Sequence, residues 1–417
     1  MKNAVFSFLM LLMILANGCE SNVYKTEAKH TVAFNEKTII LSLDGGGIKG
    51  IIPAIILDSI ETRLGKKSYQ LFDIIGGTST GGIIALGLTT PKELNNDSLP
   101  YSAHDLLEMY STQGQELFVP QDCAVMHCAK YYSSHEGKGI EPYLQKKLNP
   151  ELSLSNAKRI ISQLPGSRVK QVFTTTYIVN SRGYSVEKPV LGRDYGPYLF
   201  NWFDATLKKD DDYHVWEAAR GTSAAPTYFP IAHLGGGHSR PNSAALEKWV
   251  VDGGMMSNNP SVWGLAEAFR TSLVSKVEDI VVISIGTGIY AGNAGVGIQN
   301  NHTKWDDIPK NGNWNYYPWL VSKMYNLEGE ESDGTVLNII LDAVQMASNS
   351  QFRSLQKSGL DYHRIEIPLT FHQSKMDNIT PSNIQSLIDS TRSYLNSPQG
   401  KIAFDNIIVA IKGESSL

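Results

Sequence analysis

Leu71-Phe72-Asp73-Ile74-Ile75-Gly76-Gly77-Thr78-Ser79-Thr80-Gly81-Gly82 decides the fold class. The run Leu71 to Ile75 is short and rich in β-branched and aromatic residues, which predicts a buried strand. The glycine-rich turn that follows leads into a helix of small and apolar residues, Ile83 to Leu88. The same pattern occurs once upstream. Thr38 to Leu43 predicts a strand, and Asp44-Gly45-Gly46-Gly47-Ile48-Lys49-Gly50 a turn. Ile51, Ile52, Ile55, Ile56, Ile60 and Leu64 then keep helical spacing up to a stop at Gly65. Strand, glycine turn and helix, repeated, imply parallel strands joined by crossover helices. In that α/β class, chemistry gathers at the strands' C-terminal edge.

Further strands are expected at Val172 to Tyr177, Lys248 to Val251, Asp279 to Ile285 and Tyr362 to Ile367. Helices are expected at Ala103 to Leu117, Val262 to Leu273, Val336 to Leu355 and Ser382 to Leu395. Ala291 to Asn313 is a polar loop rich in Gly and Asn. There is no internal repeat and no low-complexity tract. The organisation expected is residues 1–18 as a signal peptide, 19–37 as a linker, 38–290 as a catalytic core and 291–417 as a helical C-terminal part of the same domain.

The 417 residues are 42% hydrophobic and 19% charged, which is enough apolar content for a buried core and argues against global disorder. A net charge of -4 gives no basic face for nucleic acid. Lys2 precedes the apolar run Ala4 to Ala16, which is short of the about 20 residues a membrane span needs and reads as an export signal. The run ends Leu15-Ala16-Asn17-Gly18-Cys19. A small residue before Cys resembles the lipobox of bacterial lipoproteins, which makes Cys19 a candidate lipidation site. Ala16 and Asn17 depart from that pattern. The expected location is the cell envelope, lipid-anchored at Cys19, or outside the cell. Cys123 and Cys128 enclose His127, but a structural zinc site needs about four ligands. A disulfide or two free thiols is expected there instead, and no metal.

Gly77-x-Ser79-x-Gly81 has the pattern of a nucleophile elbow, a strained strand-to-helix turn that exposes a serine. The helix start beneath it favours developing negative charge. A serine nucleophile needs a base. His233, His238, His302, His363 and His372 lie downstream, none of them in a recognisable loop signature after a strand. Asp252 is better placed. It ends the strand candidate Lys248 to Val251 and precedes Gly253-Gly254, so on a parallel strand it would share the edge with Ser79. An Asp-Gly turn is common in any protein, and only the neighbouring motifs raise this one above that reading. The turn Gly45-Gly46-Gly47 up to Gly50 presents successive N–H groups at a helix start, an anion nest that would serve an acyl hydrolase as its oxyanion hole. Lys49 is a candidate anion contact. Gly45, Gly47 and Gly50 also fit the G-x-G-x-x-G of a dinucleotide site. The acid that motif wants, near Asp73, falls inside a strand that ends at Ser79 instead.

Together, Asp44 to Gly50, Gly77 to Gly81 and Asp252-Gly253-Gly254 resemble the patatin-like phospholipase family. Glu217 to Pro230 and Ser284 to Gly288 are similar to further family stretches. The resemblance spans about residues 38 to 290 and fades past Ala291; many members carry Arg where Lys49 stands. It implies a three-layer α/β/α fold with a mostly parallel central sheet. It implies a Ser79–Asp252 dyad without histidine, an oxyanion hole at Gly45 to Gly47, and hydrolysis of membrane acyl lipids or phospholipids without metal or cofactor. A peripheral or lipid-anchored contact with membrane is expected, with Trp305, Trp314, Tyr316, Tyr317 and Trp319 as candidate interfacial aromatics. A protease, non-lipid esterase or acyltransferase would use the same dyad. An acyl-lipid enzyme is told apart by an apolar slot above Ser79.

Overall fold

The computed structural model describes residues 37–93, 98–122, 128–181, 195–235, 245–290, 324–325, 331–332 and 335–413. The signal segment, Cys19, the linker up to Glu36, Cys123, His127, His238, the loop 291–313 with His302, and the aromatics Trp305 to Trp319 lie outside these residues. All described residues belong to one compact unit, Lys37–Gly183 with Asp194–Leu417.

A single eight-stranded sheet organises this unit. Its strands are β1 (Thr38–Leu43), β2 (Ile74–Gly77), β3 (Gln171–Ser181), β4 (Gly196–Asn201), β5 (Ala232–Leu234), β6 (Lys248–Asp252), β7 (Ile280–Ile285) and β8 (Asp361–Ile365). The order β8-β7-β1-β2-β3 is parallel throughout, whereas β4 and β6 run antiparallel to β3 and β5 antiparallel to β6. Alternation along β1 sets the layers. Ile39, Leu41 and Leu43 pack into one core and Ile40 into another on the opposite face. The larger core is covered by α1 (Ile51–Leu64), α2 (Thr80–Gly87), α3 (Ala103–Leu117), α4 (Val215–Thr222), α7 (Pro381–Asn396) and α8 (Pro398–Lys412). The smaller one meets Ala268 of α5 (Ser261–Arg270) and Phe352 of α6 (Thr335–Gln356). This is the three-layer α/β/α arrangement, with continuous apolar strands because both sheet faces are covered.

The elements with strong periodicity fall where expected. β1 and α3 match residue for residue, and α1 ends at Gly65, whose φ of 62° gives the left-handed stop. The Leu71–Ile75 strand is shifted. Ser68–Leu71 forms a helical turn, and β2 begins only at Ile74. The cause is Asp73, whose carboxylate accepts from the Ile39 N–H at 2.9 Å and from Arg168 at 2.8 Å and so anchors the strand's entrance instead of joining its interior.

The described part of the C-terminal region is not purely helical. β8 joins the central sheet beside β7 and carries Arg364 to the same edge as Asp44. Cys128 is disulfide-bonded, and neither of the chain's other cysteines is among the described residues.

Candidate active site

β2 ends at Gly77, and two residues on Ser79 caps α2 with φ 54° and ψ −122°. A non-glycine residue held there costs of order 1–3 kcal/mol, and the surroundings must over-determine it. They do. The Ser79 N–H donates to Thr222 Oγ1 at 2.9 Å, Thr78 Oγ1 donates to the Ser257 carbonyl at 2.6 Å, and Thr78 and Thr175 share a hydroxyl contact of 2.7 Å. Gly81 is required by close approach, because a Cβ there would stand 2.3 Å from the Leu43 carbonyl oxygen. The serine hydroxyl is thereby turned into the cavity above the sheet edge.

Asp252 reaches the same place by a different route from the parallel strand expected. Thr174 pairs with both Gly77 of β2 and Phe200 of β4, and Thr176 pairs with both Asp252 of β6 and Tyr198 of β4. A strand has only two sides, so β2 and β6 lie on the same side of β3, end to end. β3 overshoots the parallel sheet's edge, and β6 runs back along the overshoot until Asp252 stops two residues short of the position opposite Gly77. The two strands meet head-on, which brings Ser79 and Asp252 together.

Asp252 is 5% exposed. Its Oδ1 accepts from the Gly254 N–H at 2.7 Å. Burial pushes its pKa up to about 6, against the pull of that hydrogen bond, of the nearby Ser79 hydroxyl and of the Arg220 charge. Arg220 is fully buried and held by Glu141 Oε1 at 2.9 Å and the Pro230 carbonyl at 2.7 Å. A carboxyl in this state is a base near neutrality, within reach of a serine proton.

The glycine loop Gly45 to Gly50 forms the third side. The Gly45 N–H is committed to the Asn258 carbonyl at 3.1 Å, whereas those of Gly46 and Gly47 have no partner among the described residues; all three glycines line the cavity with Ser79. Gly47 has φ 61°, and a Cβ on it would stand 2.1 Å from the Met376 carbonyl, so both backbone shape and packing demand glycine. The loop is braced by Thr287 Oγ1 on the Gly45 carbonyl at 2.6 Å and by the Ile48 N–H on the Met376 carbonyl at 2.8 Å. Gly50 closes the turn against Thr80, and Lys49 is half-buried on the cavity wall.

Two bracing residues lie beyond the reach of the motifs. Arg364 donates to Asp44 Oδ2 at 2.6 Å and to Ser284 Oγ at 2.7 Å, and also contacts Glu366, whose carboxylate accepts from the Gly288 N–H at 2.7 Å. Burial works against the guanidinium charge, but Asp44 and Glu366 outweigh it and hold Arg364 well above its ordinary value. The one sequence sign of this network is the alternation Arg364-Ile365-Glu366-Ile367 at the end of the strand run.

The cavity has a volume of about 460 Å³. Ile83, Tyr110, Leu117, Phe118, Ile140 and Phe229 make an apolar wall, and α6 contributes the polar Gln345, Asn349, Ser350 and Arg353 together with Leu341 and Met346. No histidine lines it among the described residues. His233 is occupied by Glu247 at 2.5 Å and stacked on Trp249, and His363 by Asp361 at 2.7 Å.

The family model for patatin-like phospholipases matches residues 41–261. Patatin-15 of Solanum tuberosum is 27% identical over 97% of this chain and 94% of its own length. Patatin-like protein 1 of Arabidopsis thaliana is 27% identical over 84% of this chain and 79% of its own. Among solved structures, VipD from Legionella pneumophila aligns with 86% of this chain and 67% of that chain at 11% identity, with a TM-score of 0.31, too low to bear on the fold.

Proposed function

The chain belongs to the patatin-like phospholipase family, and on that premise we propose a lipid acyl hydrolase whose Ser79 attacks the ester carbonyl while Asp252 takes the serine proton. The observation that carries the reading is that β2 and β6 meet head-on and bring Ser79 and Asp252 together in one cavity that has apolar lining. As Ser79 Oγ bonds to the carbonyl carbon, negative charge moves to the carbonyl oxygen. The Gly46 and Gly47 N–H groups are the donors free to receive it, and losing one such donor typically slows a reaction about 100- to 1000-fold. Protonated Asp252 returns its proton to the departing alkoxide, which leaves a fatty acyl ester on Ser79. A water then gives its proton to Asp252 and attacks that ester, releasing the fatty acid and restoring both residues. An acceptor alcohol in the water's place would make the enzyme an acyltransferase by the same steps.

The apolar wall favours a fatty acyl chain over a peptide. Ile289 and Met346, 51% and 54% exposed at the cavity mouth, support contact with a lipid surface. Among the described residues no helix is long and apolar enough to cross a membrane, so this part of the proposal is a peripheral contact, with Cys19 as a lipid anchor of the exported chain. The test is fatty-acid release from vesicles of mixed phosphatidylcholine and phosphatidylglycerol, comparing the wild-type chain with Ser79→Ala and Asp252→Asn, each with and without EDTA. Release by wild type alone, insensitive to EDTA, is expected. Release that survives both substitutions would sink the dyad.

A further inference from the structure

We propose that the polar part of the cavity lining is a head-group subsite that selects acyl lipids carrying a net negative head group. This rests on the acyl-hydrolase reading and extends it to substrate class. Gln345, Asn349 and Arg353 are spaced by four on α6, so they stand on one helix face, and all three line the cavity. Lys375 and Lys49 line it as well. The cavity therefore has an apolar wall fit for a chain, the serine at its foot, and amides and cations where the other end of the same molecule would lie.

The charge balance makes the lining selective. Among the described residues, the only carboxylate lining the cavity is Asp252, buried and near Ser79. Arg353 and Lys375 are exposed and make no ion pair with described residues, although Lys375 lies over the Phe371 ring. A phosphate or other anion here gains charge-assisted hydrogen bonds from the guanidinium and ammonium and from the Asn349 amide, whose oxygen accepts from Asn259, while Gln345 is engaged with Asn258 and Asp44. A head group that also carries an ammonium meets cations with no carboxylate to answer them. Such a group is left with ring contacts, the aromatic pair Tyr290–Phe371 among them.

The test uses dihexanoyl phosphatidylglycerol and dihexanoyl phosphatidylcholine as dispersed monomers, so that vesicle binding does not enter, and reads the ratio of their kcat/KM values. Wild type is expected to favour the anionic lipid by about tenfold, the upper scale of two exposed charge contacts. Arg353→Gln with Lys375→Gln is expected to bring the ratio within about twofold of unity, and Arg353→Lys to keep most of it, since charge rather than geometry sets it. A wild-type melting transition establishes that the double variant is folded. A wild-type ratio at or below one would overturn the proposal, as would a preference that persists in the folded double variant. Failure of the underlying reading looks different: no Ser79-dependent release from either lipid.

Discussion

Asp44 and Asp252 are both buried at the same sheet edge, one at the end of β1 and the other at the end of β6, and their surroundings differ in kind. Asp44 is gripped on both oxygens by Arg364, at 2.6 and 3.3 Å; burial and, less strongly, Glu366 push its pKa up to about 7, against the pull of that guanidinium. Asp252 has no cation in hydrogen-bond contact. It has one backbone N–H, the Ser79 hydroxyl and, farther off, the charge of Arg220. A buried carboxylate with a bidentate guanidinium is committed to structure, here the bracing of the glycine loop. A buried carboxylate left with one N–H and a hydroxyl has unanswered basicity. The same residue type at the same edge is a brace in one place and, on the proposed reading, a base in the other because of what stands opposite it.

The largest expected effect breaks the base. Asp252→Asn keeps the shape and an acceptor for Gly254 but cannot take a proton, and should lower kcat about 1000- to 10,000-fold. In the wild type, log kcat/KM should climb with pH and level off above about 6, because the working form of Asp252 is ionised and burial has pushed its pKa there. A flat profile between pH 4 and 8 would mean that Asp252 is not the titrating base.

The next largest effect breaks the brace. Arg364→Met leaves Asp44 buried without its counter-charge and Glu366 beside it, and should cost about 3–5 kcal/mol of stability. Asp44→Asn in the same chain should recover part of that loss, because it removes the stranded charge. Thermal or denaturant melting of the three variants reads the difference. If Arg364→Met melts like wild type, the Asp44–Arg364 pair is not what holds the loop.

Much of this edge was legible in the sequence because its chemistry is local. Gly45 to Gly47, Gly77 to Gly81 and Asp252 to Gly254 each announce a turn by residue type, and the apolar runs before them announce strands. Three things were not legible, and each depends on pairing between distant residues. β6 runs antiparallel, which no residue in Lys248–Val251 encodes; it follows from β3 being long enough to carry a partner beyond Gly77. The Gly45 N–H is bonded to the Asn258 carbonyl, far along the chain, so the glycine repeat by itself does not tell which of its N–H groups are left open. Arg364 and the cavity-facing side of α6 lie where the family resemblance fades, and only the folded sheet shows that they belong to the site.

The smallest expected effect sharpens the comparison by separating base from brace in stability. The folded protein raises the Asp252 pKa from 3.8 to about 6, so the folded state binds the proton more tightly than the unfolded chain does. The sign follows by linkage: stability from this group is complete below about pH 4 and is lost as pH rises through about 6. Asp252→Asn has no such dependence. It should therefore melt above wild type at pH 8, by an amount worth about 1–3 kcal/mol, with the gap closing towards pH 4. The upper figure is the whole shift converted to energy, and the lower one allows for a weaker contact with the Ser79 hydroxyl. Asp44→Asn should do the opposite at pH 8: burial and Glu366 push its pKa up too, to about 7, but the substitution breaks the Arg364 contacts to both oxygens. Melting curves of both variants at pH 4 and pH 8 decide the matter. If Asp252→Asn melts below wild type at pH 8, the ionised Asp252 is stabilised in place as Asp44 is, and the contrast between the two carboxylates fails.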